Sequence, residues 1–269
     1  MNIRQLTTSL GLAATSALVL ASSPAQAFTF QSNFTEALSG NDAPKGDILL
    51  NSITLEDGSV LDDFTMVTSA NILSNDIYTG GNSGAASADI GDLATTGVRQ
   101  EALTNEGAKA VLNNLNLNNI IDTEDSGSFI LDLNFEKAVD NIFLWERGMN
   151  SRLDVQALDA NGNLIGTQLQ LSNSRDWTDA GFKIDTKEIG KAQKVGSIGI
   201  SLEDLGLIST GTISALRVSS EGRAYNGPDF KVLGSVADTQ DVPEPSALLG
   251  LGAVVAGVFA TRRRQSAKA

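Results

Sequence analysis

The 269-residue chain contains no cysteine and no histidine. The first absence excludes disulfides. The two together exclude zinc sites of the Cys/His kind, Cys–His nucleophilic pairs and Ser–His–Asp triads. Any catalysis would therefore rest on carboxylates, lysine, tyrosine or a hard metal ion. Aromatic residues make up only 5% of the chain, so a core must be assembled mainly from Leu, Ile, Val and Ala. Basic residues are scarce as well: 19 Lys and Arg face 32 Asp and Glu, giving a net charge of −13. Arg4, Arg262, Arg263, Arg264 and Lys268 sit near the termini, so the middle is more acidic still. That balance repels nucleic acid and anionic membrane surfaces, and no nucleic-acid partner is expected.

Turn chemistry is abundant. Glycine (26 residues), with many Asn, Ser, Thr and Asp, marks a turn-rich chain that is more β than α. The length allows one large domain or two small ones.

Residues 1–27 read as a secretory signal peptide. Arg4 supplies the positive start, Leu6–Ala21 the apolar run, and Ala25-Gln26-Ala27 an A-x-A cleavage site. The mature chain is expected to begin at Phe28 and to form one β domain over residues 28–237. Ile48–Leu55 reads as a strand, and the small-residue stretch Thr79–Asp92 as a loop. One helix is predicted, capped by Thr104, with Ala108, Val111, Leu112 and Leu115 on one face and the Asn-rich run Asn113–Asn119 ending it. Phe129, Leu131, Leu133 and Phe135 alternate with Ile130, Asp132 and Asn134, as in a strand with one fully apolar face. Ile142–Trp145 reads as a separate short strand. Asn161-Gly162 between two alternating runs is a hairpin signal. Further strands are expected at Val195–Leu202, Thr212–Ser219 and Phe230–Leu233. The fold class is mainly β, a jelly-roll-like β-sandwich with one short helix, plus a cleaved N-terminal signal helix and a C-terminal transmembrane helix.

Residues 238–245 form a polar linker ending in Pro243-Glu244-Pro245, whose prolines hold the backbone extended. The apolar run Ser246–Ala260 follows, within a tail of residues 246–269. As a helix it would span about 22 Å at about 1.5 Å per residue. A hydrocarbon core is about 30 Å thick, so this is a short span suited to temporary anchoring. Arg262-Arg263-Arg264 should stay cytoplasmic, leaving the body on the outer side.

Val242-Pro243-Glu244-Pro245, a Gly/Ala/Leu-rich helix and Arg262-Arg263-Arg264 together resemble the PEP-CTERM sorting signal of bacterial exosortase substrates, here over residues 242–265. The resemblance implies export through the secretion machinery, signal peptidase and an exosortase. It further implies transient anchoring in the inner membrane, tail removal and delivery to the cell surface or extracellular matrix. In that reading Pro243, Glu244 and Pro245 are the recognition motif and Arg262, Arg263 and Arg264 the retention cluster. The body, through Asn75–Gly81, Phe143–Gly148 with Asn150, and Val155–Asp159, is similar to an exosortase-dependent surface protein family.

Within the body, Trp145, Glu146, Arg147, Asn150 and Arg152 bring an aromatic ring, a carboxylate, two guanidiniums and an amide into eight residues. Such a set suits a sugar, through ring stacking and bidentate hydrogen bonds, with exopolysaccharide as the partner. The preferred reading of the same residues is a core tryptophan at a strand end beside a solvated turn. Trp177, after Arg175-Asp176, is a weaker version of the same pattern. Asp159–Asn163 imitates the start of a calcium loop, but its twelfth position is Gln170 rather than Glu. Asp62-Asp63, Asp122–Asp125 and Glu203-Asp204 are oxygen donors open to Ca²⁺, and no cofactor is otherwise implied. No motif picks out a carboxylate pair for glycoside hydrolysis. The body is therefore read as non-enzymatic, with carbohydrate binding as the alternative and a carboxylate hydrolase third.

Overall fold

The computed structural model describes residues 27–77, 85–99, 102–186, 190–209 and 211–236. In chain order the elements are β1 (Phe30–Glu36), a 3-10 turn (Gly40–Lys45), β2 (Ile48–Leu55), β3 (Val60–Leu61), β4 (Phe64–Thr65), β5 (Val67–Asn75), β6 (Ser87–Asp89) and α1 (Asn105–Leu112). They continue with β7 (Ile120–Asp122), β8 (Ser128–Arg147), β9 (Leu153–Leu158), β10 (Leu164–Leu171), α2 (Asn173–Asp176), β11 (Thr178–Ile184), β12 (Gln193–Ser201), β13 (Ile213–Glu221) and β14 (Phe230–Val236).

β8 is 20 residues long and serves two layers. Its first half pairs antiparallel with β5 and β13, its second half with β12 and β14. The first layer continues from β13 through β9 to β10. The second extends from β12 to β11 on one side, and from β14 to β4, β7 and then β6 on the other. The alternating Phe129, Leu131 and Leu133 meet Ile142, Leu144, Ile198, Ile200 and Val232 in the main core, which Val111 and Leu112 of α1 help to close. Each such side chain, fully buried, contributes roughly 1.5–3 kcal/mol.

A separate sheet, in the order β1-β2-β3, adds a third layer. Phe30, Ile48, Leu50 and Ile53 from it cluster with Phe143, Trp145, Phe182 and Leu233 in a second core. This explains the unbroken apolar run at Ile142–Trp145. A strand covered on both faces is apolar at every position. Ile142 and Leu144 face the main core, whereas Phe143 and Trp145 face the second. The run is the far half of β8, not a short strand of its own.

α1 starts as expected: the Thr104 hydroxyl accepts from the Gly107 amide at 3.0 Å, and Asn113 follows its last residue. The β9–β10 hairpin turns at Asn161-Gly162, with Gly162 at φ 81°. Both Asn161 and Asn163 donate backbone N–H groups to Asp159 Oδ1 at 2.8 Å, which commits that carboxylate to the turn. Part of Thr79–Asp92 departs from the expected loop. Ser87–Asp89 is a strand, and Ala85, Ala86 and Ala88 are buried there because small side chains fit close beneath α1. β5 and β11 also form where no strand was expected.

The predicted signal helix and C-terminal membrane helix lie outside the described residues. Among the described residues no helix is long and apolar enough to cross a membrane.

Candidate functional site

Arg147 ends β8, and its side chain turns inward. Nη2 reaches Asp122 Oδ1 at 2.9 Å and Asp229 Oδ2 at 2.8 Å, while Nε also donates to Asp229 Oδ2 at 3.1 Å. Nη1 donates to Thr186 Oγ1 and lies 4.0 Å from Asp89 Oδ2. One guanidinium thus ties together the end of β6, the end of β7, the residue before β14 and the segment after β11. All four charged residues are buried. A planar five-donor group suits this task, because it makes four hydrogen bonds here, one more than an ammonium has N–H donors.

The charges here do not balance, since three carboxylates face one cation. Burial and the neighbouring Asp122 hold the Asp229 carboxyl well above its ordinary value, although Arg147 opposes them. Burial likewise raises Asp89. Burial disfavours the charge on Arg147 too, but Asp229 and Asp122 outweigh it and keep the guanidinium charged. A polar cavity of about 210 Å³ opens beside the cluster, bordered by Asp122, Glu124, Asp125, Asn150, Asn226 and Asp229.

Glu146 takes no part in this hydrogen-bond network. Its side chain is fully buried, and neither carboxyl oxygen has a hydrogen-bond partner of ordinary geometry. Burial, then the nearby Asp229, pushes its pKa well above the usual range, against weaker opposition from the Ser151 hydroxyl and the Met149 and Asn150 amides. The turn over it is tight. Gly148 has φ 111°, and a Cβ there would collide with Asn150 Oδ1.

The sugar platform considered at Trp145 is not formed, and the preferred reading, a core tryptophan at a strand end, holds. The Trp145 ring is 1% exposed, lies edge-to-face with Phe30 at 5.4 Å, and donates from Nε1 to Ser32 Oγ at 2.9 Å. The β1-β2-β3 sheet covers the face that a sugar would need. Trp177 is also buried, in the main core, with Nε1 donating to the Ser151 carbonyl at 3.1 Å. Of the predicted set, Asn150 is exposed and Arg152 half-buried, so the six residues do not share one surface. The expected solvated turn at Glu146 and Arg147 is corrected as well, because both belong to a strand buried on each face.

A second concavity, of about 370 Å³, lies against β8, β9 and β13, with Asp154, Gln156, Gln168, Arg217, Ser219 and Glu221 on its walls. Arg217 holds Asp132 bidentately at 2.7 and 2.9 Å. The Tyr225 hydroxyl donates to Asp154 at 2.5 Å. No local motif marked this groove, because its residues come from positions far apart in the sequence that only strand pairing brings together. Among the described residues, no group of three or more acidic side chains is arranged to hold a metal ion. Asp122, once a calcium candidate, is committed to Arg147.

β14 ends at Val236, and the Pro-Glu-Pro motif, apolar run and arginine cluster follow it in sequence, outside the described residues. Residues 241–264 match the family model for the PEP-CTERM protein-sorting motif. The chain carries a PEP-CTERM sorting signal. The match lies within one residue of the expected bounds and takes in Pro243, Glu244, Pro245 and Arg262–Arg264. The motif implies an exosortase as processing partner and an exported protein that transits a membrane. No curated protein matches the PEP-CTERM chain. The tail match does not extend to the body, and the expected similarity of the body to a surface-protein family is not shown. Ala25 and the tail residues lie outside the described residues. Ala27 packs against the main core, and Phe28 bridges to Gly199 through two 2.8 Å backbone hydrogen bonds.

Proposed function

We propose that this PEP-CTERM protein is a non-enzymatic component of the cell surface or extracellular matrix. Its tail anchors it briefly in the inner membrane with the body outside, until an exosortase removes the tail. The match at residues 241–264 carries this reading. The non-enzymatic part is supported by how the ionisable groups are used. Asp122 and Asp229 are bound to Arg147, and Glu146 is sealed beneath a turn, so none stands free to act on a substrate. Mass spectrometry of the exported form tests the route. Expected are a start at Phe28 and an end upstream of Ser246. A full-length chain from Met1 to Ala269 in the cytoplasmic fraction would overturn it.

A second reading, carbohydrate binding, is favoured by the groove against β8, β9 and β13 and no longer by Trp145. Amide, hydroxyl and guanidinium groups on its walls are the side chains that hydrogen-bond polyols. Affinity electrophoresis in the co-exported exopolysaccharide, with wild type and the Gln156→Ala/Gln168→Ala double variant, decides it. Unretarded wild type rejects the reading.

A further inference from the structure

Lys231, the second residue of β14, is fully buried, and its amine meets no carboxylate among the described residues. Nζ donates to the Val111 carbonyl at 2.6 Å and to Asn114 Oδ1 at 3.1 Å. The Asn114 side chain is held from both ends. Its Nδ2 donates to the Ala110 and Val111 carbonyls at 3.0 and 3.1 Å. Its Oδ1 accepts from the Asn116 backbone N–H at 3.0 Å and from Asn119 Nδ2 at 3.1 Å. A fully buried lysine nucleophile therefore lies against a half-buried amide whose carbonyl oxygen is polarised by two other N–H groups.

We propose that Lys231 and Asn114 become joined by an intramolecular amide bond. Burial alone, with no neighbouring charge, drives the Lys231 amine well below its ordinary value and toward the neutral form that attacks carbonyl carbon. Nζ attacks Asn114 Cγ, and the negative charge that develops on Oδ1 is stabilised by the Asn116 and Asn119 donors. The Nζ–Cγ bond forms, the Cγ–Nδ2 bond breaks, and Nδ2 leaves as ammonia with a proton taken from Nζ. Nothing is oxidised or reduced. The new amide keeps one N–H, placed to continue donating to Val111. Fixed geometry makes such a single-turnover reaction effectively unimolecular.

The link would close a loop between positions 117 residues apart in a chain that has no cysteine. It would clamp β14, the strand from which the sorting tail departs, to the segment following α1.

Tryptic peptide mapping of the full chain, denatured before digestion, tests the proposal. Linked chain yields residues 110–137 joined to the peptide containing Lys231, lighter than their sum by one ammonia, with no cleavage after Lys231. Lys231→Arg and Asn114→Ser should each abolish that species. Should either variant fail to fold, the wild-type map decides alone. Cleavage after Lys231 together with a linear 110–137 peptide in most wild-type molecules would overturn the proposal.

Discussion

Arg147 and Asp229 meet through two donors and one acceptor: Nε and Nη2 of the arginine both bond Oδ2 of the aspartate, at 3.1 and 2.8 Å. The pair joins the last residue of β8 to the residue that leads into β14. It is buried, so its loss costs far more than that of a surface ion pair.

Arg147→Ala should therefore destabilise the body by about 3–5 kcal/mol, because Asp89, Asp122 and Asp229 would remain buried without their cation. Against a total of about 5–15 kcal/mol for a typical domain, that is a large share. Urea denaturation of wild type and variant provides the measurement. Arg217→Ala, which breaks the more exposed pair with Asp132, should cost much less.

Trp145→Ala should destabilise by about 3–5 kcal/mol, as expected for emptying a large aromatic site in a core. Trp145→Phe keeps the ring but strands the Ser32 hydroxyl, and should fall between wild type and alanine. A cost below about 1 kcal/mol for the alanine variant would contradict the enclosed position of this ring.

Glu146 and Asp229 predict a pH dependence of definite sign. Their folded pKa values lie above the unfolded ones, so between those values the native state holds protons that the unfolded chain has released. Stability from these groups is greatest below the ordinary carboxylate range and falls as pH rises through it toward the raised folded values. Glu146→Gln replaces the neutral acid by a near-isostere that does not titrate. The variant should gain on wild type as pH rises through this window and show a flatter curve. Thermal melts across the acidic to neutral range measure the difference, and parallel curves would refute it.

Glu244→Ala within the Pro-Glu-Pro motif should leave the body folded and block tail removal. A larger, membrane-associated form should accumulate at the expense of the exported one, as read by immunoblot of fractionated cells. Replacing Arg262, Arg263 and Arg264 together by Ala should instead impair retention of the tail in the membrane before cutting.

The sequence was most legible where the determining interactions are local. The Thr104 cap, the Asn161-Gly162 turn and the Phe129–Phe135 alternation each depend on residues a few positions apart, and each stands where it was expected. β6 was hidden because a strand of Ser, Ala and Asp has no periodic apolar signal. Its small size matters only against α1. β8 looked like two strands because polar residues at Glu136, Lys137, Asp140 and Asn141 interrupt its pattern where it passes from one layer to the next.

The sorting tail needed no tertiary structure, since its message is a linear order of proline motif, apolar run and basic cluster. The meaning of Trp145, Glu146 and Arg147 was decided only in three dimensions. A sugar-binding triad and a doubly covered strand end have the same sequence. What separates them is the β1-β2-β3 sheet, which closes over Trp145, and the aspartates of β6, β7 and the approach to β14, which converge on Arg147 from distant positions. Such convergence leaves no local trace, because burial is set by what packs against a residue and not by its neighbours along the chain.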